Sequence, residues 1–173
     1  MKIRSTVLVL MALAAWPALA ANEEMRKLDW LIGEWKGEAT VQMGPGKPET
    51  ALQHEKVQSK AGGKVLLIEG VGRQKLEDGS AGEIVHDAMA LISWDEAKKT
   101  YRFSTFVANR PDADATLEVT GPNSASWGFQ TPQGHVRFTI SKTEKGEWLE
   151  IGEYSRDAVK WTKFMDMKLQ KVK

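Results

Sequence analysis

The residues able to do chemistry are few and scattered. His54, His86 and His135 fall on three separate strand-like runs, and no His-x-His or His-x3-His pair exists. Spacing therefore gives no support to a zinc or haem cluster. The chain has no cysteine, so no thiolate nucleophile is available. No Gly-x-Ser-x-Gly elbow, His-Glu-x-x-His helix or phosphate loop occurs either. Asp112-Ala113-Asp114 lacks the glycine and terminal glutamate of a calcium loop and reads as a polar turn. Glu150 and Glu153 are three apart on a strand, so they face opposite ways and cannot flank one ligand. No catalytic residue and no metal ligand is assigned.

What remains is a set of polar residues on otherwise apolar faces. Glu69 shares alternation parity with Val65, Leu67 and Val71. If that face points inward, a carboxylate enters an apolar interior, where an unpaired charge is costly and its pKa rises. His86 shares parity with Ala88, Ala90, Ile92 and Trp94, and small residues beside a tryptophan leave space for a guest. Lys163 shares parity with Met165, Met167 and Leu169. With Trp94 and Trp127 as walls, Glu69, His86 and Lys163 are the expected ligand-binding residues, since ligand sites combine apolar walls with a few convergent polar groups. The competing reading places these charges in water at an open rim.

The elements that position them are strands. Trp35, Gly37, Ala39 and Val41 alternate with Lys36, Glu38, Thr40 and Gln42, the period-2 pattern of a half-buried strand. Ten such runs are expected: 34–42, 50–59, 64–73, 83–94, 100–108, 113–121, 124–130, 135–142, 147–156 and 161–170. Turn chemistry separates them, as in Gly44-Pro45-Gly46, Asp78-Gly79, Gly121-Pro122-Asn123 and Lys145-Gly146. Connections this short pair neighbours antiparallel, and up-and-down order closes into a barrel without exposed edges. The fold class is all-β: a single ten-stranded antiparallel up-and-down barrel after a short helical segment at 23–32. The runs Val65–Ile68 and Ala88–Ile92 are apolar on both sides. Something is expected to cover their outer face, either the N-terminal turns or a homodimer partner.

Residues 1–20 read as a secretory signal peptide. Lys2 and Arg4 start it, Thr6 to Ala15 is nearly all apolar, and Ala18-Leu19-Ala20 is a small-x-small cleavage site. The apolar run is shorter than the roughly 20 residues a spanning helix needs. Residues 21–173 then form one domain, expected in the periplasm or outside the cell, with no membrane insertion after cleavage. The whole chain carries a formal net charge of +1 and the leader holds two basic residues, so the domain is near neutral. That leaves no electrostatic footprint for nucleic acid. Of seven tryptophans only Trp16 lies in the leader.

Trp30-Leu31-Ile32-Gly33-Glu34-Trp35-Lys36-Gly37-Glu38 resembles the opening of a bacterial family of unknown function. That family is grouped with the nitrobindin and fatty-acid-binding-protein-like barrels in the lipocalin superfamily. Val65–Gly70, Val85–Ala88, Ile92–Asp95, Tyr101–Phe103, Trp127–Phe129 and Glu150–Asp157 follow in matching order, so the resemblance spans the domain. It implies structural roles for Gly33 and Trp35, with Trp35 plugging the closed end. It also implies a basic side chain stacked over that ring; no arginine follows Arg156, so Lys168 or Lys171 must serve. Two departures stand out. The gap 43–49 is too short for the two-helix portal of fatty-acid-binding proteins. The closing run 161–170 has no histidine, so the nitrobindin haem site does not carry over, and haem is the disfavoured guest.

The expectation is an exported barrel that binds a small apolar or amphipathic molecule, with no cofactor. A haem-binding, nitrobindin-like isomerase or sensor is the alternative. A structural or inhibitory envelope protein with a filled barrel is the third reading.

Overall fold

The computed structural model describes residues 23–172. The expected signal peptide, residues 1–20, lies outside the described residues. Among those described, no helix is long and apolar enough to cross a membrane.

The chain opens with one turn of helix, α1 (Glu23–Arg26), and a 3-10 turn at Asp29–Leu31. Ten strands follow: β1 (Gly33–Val41), β2 (Glu49–Lys60), β3 (Val65–Lys75), β4 (Ala81–Asp95), β5 (Thr100–Val107), β6 (Ala113–Gly121), β7 (Ser124–Thr131), β8 (Gly134–Lys142), β9 (Trp148–Ser155) and β10 (Thr162–Lys171). Every strand pairs antiparallel with its sequence neighbours, and β1 pairs with β10 to close the barrel. This is the expected architecture, with boundaries displaced by one or two residues at most of the ends. The β1–β2 connection, residues 42–48, contains no helix.

Alternation sorts each strand into an inner and an outer row. The register aligns Val41, Met165, Gly152, Phe138, Trp127, Leu117, Tyr101 and Trp94 along one inward row through eight strands. The other way round, Trp35 pairs with Glu55, Glu55 with Gly70, and Gly70 with Ala88.

One end of the barrel is packed shut. Trp35 is 1% exposed and donates its indole N–H to the carbonyl of Leu31 at 2.7 Å. Leu28 and Leu31 are fully buried with Met25 in the same cluster, and the hydroxyl of Tyr101 donates to the carbonyl of Glu24 at 2.7 Å. Trp148 meets Trp35 edge to face, with centroids 5.8 Å apart. The Nζ of Lys171 lies 5.3 Å from the Trp35 ring centre, so it is Lys171 rather than Lys168 that supplies the basic partner. Gly33 enters β1 at φ 142°, a conformation that side chains with a Cβ rarely take, which explains the glycine before this plug.

The N-terminal turns thus cap an end of the barrel and do not cover the outer face of β3 and β4. There Val65, Leu67 and Leu91 are half-buried, while Met89 is 39% exposed.

Candidate functional site

Above the floor, the inward rows bring together groups from distant strands. Five aromatic rings line one wall. Trp127 stacks on Phe138 with centroids 4.3 Å apart and lies 4.4 Å from Phe103; Phe129 follows at 6.1 Å. Phe164, at a bulge in β10, meets Phe138 edge to face at 5.8 Å. These rings point into a closed barrel, yet Trp127, Phe129, Phe138 and Phe164 are only half-buried. Their remaining exposed surface faces the lumen or its mouth. The floor residues Trp35, Ile92, Leu117 and Leu169 keep almost none.

The opposite wall is polar. Gln53 and Glu55 point inward from β2, and the amide Nε2 of Gln53 donates to Oε1 of Glu55 at 2.7 Å. Both are buried, at 5% and 7% exposure. Gly70 and Gly72 on β3 make this possible. A Cβ on Gly70 would lie 2.6 Å from both Glu55 carboxyl oxygens, and one on Gly72 would lie 2.5 Å from Oε1 of Gln53. Two bare backbone positions on β3 therefore hold the space that two polar side chains of β2 fill.

Glu150 points inward from β9, on the face it shares with Trp148 and Gly152. It has no hydrogen-bond partner among the described residues. Burial alone lifts its pKa to about 7. Glu55 is lifted further, to about 8: burial raises it, the Gln53 amide opposes, and the Glu150 charge raises it again. The two carboxyls thus sense each other across the lumen. Glu150 is shut off from bulk water in its electrostatics but retains accessible surface. The two statements agree if that surface borders an internal hollow. Beside it, the buried indole N–H of Trp148 also lacks an acceptor.

His86 stands inward near the mouth, its Cβ close to Gly72. Burial holds its imidazole below the usual value, and Arg110 adds to the effect while Asp87 opposes it. At pH 7 it is neutral.

The five expected binding residues divide. His86, Trp94 and Trp127 point inward; Trp94 belongs to the floor, against Tyr101 at 4.8 Å. Glu69 is a correction: it lies outside and exposed, because the inward set of β3 is Leu66, Ile68, Gly70 and Gly72. It borders a shallow hollow of about 460 Å³ on the outer surface with Asp87, Met89 and Phe106. Lys163 is a second correction. The β10 bulge between Lys163 and Met165 reverses the alternation, and Lys163 pairs with Asp166 at 2.7 Å in solvent.

His54 and His135 sit on outer faces; His54 contacts Glu34 at 3.0 Å. Among the described residues, no group of three histidine, aspartate or glutamate side chains could hold a metal ion. Glu153 faces outward to Arg137 at 2.7 Å, opposite to Glu150 as the alternation requires. Sequence reasoning missed Glu55 and Gln53, and set Glu150 aside for lacking a partner on its own strand. The signal was there in part: Gly70-x-Gly72 is a spacing of bare inward positions, which calls for large side chains on the neighbouring strand.

No protein-family model matches this chain, and no curated protein matches it in sequence. Among solved structures it is similar to the crystal structure of Rv2717c from M. tuberculosis, with a TM-score of 0.62 over 89% of this chain and 100% of that one. The two are 11% identical, so the likeness concerns the barrel fold alone.

Proposed function

We propose that this chain is an exported, lipocalin-like barrel that carries a small apolar or amphipathic molecule in its lumen. The observation that carries the reading is the contrast within the interior. Inward aromatic rings keep accessible surface above a floor that is sealed. Packed protein interiors leave few voids larger than a water molecule, so an aromatic wall left open is the mark of a guest site. Glu55, Gln53, Glu150 and His86 supply the convergent polar groups.

The Gly-x-Trp opening, the plug at Trp35 and the basic side chain over it support a relation to the nitrobindin-like and lipocalin barrels. The leader at 1–20 supports delivery to the periplasm or beyond. A binding module is favoured over an enzyme because, among the described residues, no nucleophile and base are hydrogen-bonded together in the lumen. Haem remains the disfavoured guest: β10 carries no histidine, and His86 is the lone inward imidazole among the described residues.

Native mass spectrometry of the protein purified from its own envelope fraction tests this. A mature chain from Ala21 with an additional small-molecule mass is expected. A bare polypeptide, together with a haemin titration that yields a stoichiometric histidine-ligated Soret band lost in His86→Ala, would overturn it in favour of haem.

A further inference from the structure

The chemistry of the lumen is one-sided, and this has a consequence for what enters it. From floor to mouth the inward positions of β1, β3, β5, β6, β7 and β8 are apolar, aromatic, glycine or neutral polar, except Lys142 at the end of β8, opposite Trp148. On β10 they are Met165, Met167 and Leu169. The ionisable side chains that face the hollow are Glu55 from β2, Glu150 and, near the mouth, Tyr154 from β9, and His86 from β4. Basic groups stand at the two ends: Arg110 in the loop by the mouth, and Lys171 over Trp35 at the floor. The other arginines and lysines of the strand walls point outward, as Arg102 to Asp95, Arg137 to Glu153 and Lys75 to Glu38 show.

We infer that the lumen selects a cationic amphiphile, an alkyl or aryl ammonium whose charge sits between Glu55 and Glu150 and whose apolar body lies on the Trp127–Phe138 wall. The inference rests on the binding-protein reading above and names its ligand class. Three observations converge on it. Glu150 is enclosed, faces the interior and has no partner among the described residues, so a donor from outside is what it lacks. Glu55 faces the same interior and feels the Glu150 charge, so the two carboxyls resist ionising together, and a cation between them offsets that resistance. Aromatic faces opposite the acids attract the same charge. A carboxylate ligand meets the reverse situation: two acids, with basic groups only at the ends of the barrel.

The acids also determine how binding depends on pH. Burial holds protons on both carboxyls in the empty barrel, with pKa values of about 8 and about 7. An ammonium that forms an ion pair with one of them expels that carboxyl's proton to the buffer. Affinity for the cation therefore rises with pH through the neutral range and levels off once the pair is ionised.

Three probes with one tail separate the outcomes: octylammonium, octanoate and octanol, titrated calorimetrically into the mature chain. At about pH 8, octylammonium is expected to bind at least tenfold more tightly than octanoate, a difference typical of one uncompensated charge. Glu150→Gln and Glu55→Gln are each expected to lose about tenfold for octylammonium and to leave octanol within about twofold. Gln replaces the neutral acid in shape, and circular dichroism confirms the fold. Near pH 6.5, heats measured in two buffers are expected to show proton release with octylammonium only. If octanol binds but octylammonium gains nothing over octanoate, or the Gln variants bind it unchanged, the cation assignment falls while the binding barrel stands. If none of the three binds, both fall.

Discussion

The floor and the lumen of this barrel are built from the same residue types and reach opposite results. At the floor, Trp35, Trp148 and Tyr101 interlock with Leu28, Leu31 and Leu117, and the surface left over is close to nil. In the lumen, Trp127, Phe129, Phe138 and Phe164 stack on one another along one wall and leave the middle open. The difference comes from what stands opposite. The floor receives a capping segment, residues 25–31, that inserts leucines from outside the sheet. The lumen has Gly37, Ala39, Gly70, Gly72 and Ala88 opposite or beside its aromatics, with acids among them. Aromatic residues close a barrel only where something large faces them.

Truncation at the two places should separate them most strongly. Trp35→Ala is expected to cost ~3–5 kcal/mol, the range for buried aromatic deletions. Urea unfolding would show it, as a large part of the ~5–15 kcal/mol a domain has. Trp127→Ala is expected to cost ~1–2 kcal/mol, since much of the space its removal leaves is already open. Equal losses would mean that the lumen is packed as tightly as the floor, and the comparison would fail.

The second expected effect is on pH. Glu55 and Glu150 have folded-state pKa values raised above those of the unfolded chain. The folded protein thus binds more protons, and stability must fall as pH rises. The contribution is fully present below about pH 4.5 and is lost as pH climbs through about 7 to 8. On this account each carboxyl contributes up to ~2–4 kcal/mol to the difference between pH 5 and pH 8. Denaturant midpoints across that interval measure it. Glu55→Gln and Glu150→Gln should each flatten the profile and raise stability at the alkaline end, a gain bought at the expense of the site. A profile that stays flat to pH 8 would place both acids in water.

The smallest effects are expected on the outer surface. Glu69→Ala and Lys163→Ala should shift stability by no more than ~0.5 kcal/mol, as exposed substitutions do, and neither should alter ligand binding. A loss of binding on Glu69→Ala would restore the original inward reading of β3.

Why Glu69 misled and Trp35 did not is a matter of pattern. β1, β6, β7 and β8 alternate cleanly, so Trp35 and Trp127 could be set on the inner face from their neighbours alone. β3 is apolar on both faces, Val65 and Leu67 outside, Leu66 and Ile68 inside, so parity with valines decides nothing. On β10 the bulge after Lys163 inverts the alternation, and a bulge leaves no mark in a strand-like stretch. Glu55 and Glu150 are 95 positions apart on β2 and β9, and only closure of β1 on β10 brings their strands near. Single-strand reasoning cannot see a pair formed by closure. It identified ten strands, the barrel and the plug; it found the aromatic half of the lumen and missed the acidic half.

The central claim is that an open, ligand-receiving hollow lies above a sealed floor. A neutral apolar fluorophore, N-phenyl-1-naphthylamine, titrated into the mature chain while tryptophan emission is followed, tests it most directly. The account predicts saturable binding at one site per chain, with energy transfer from Trp127, and loss of that site when Ala88→Trp, at an inward and half-buried position of β4, fills the hollow. Fluorescence that rises without saturation, unchanged by Ala88→Trp, would contradict it and leave a filled structural barrel.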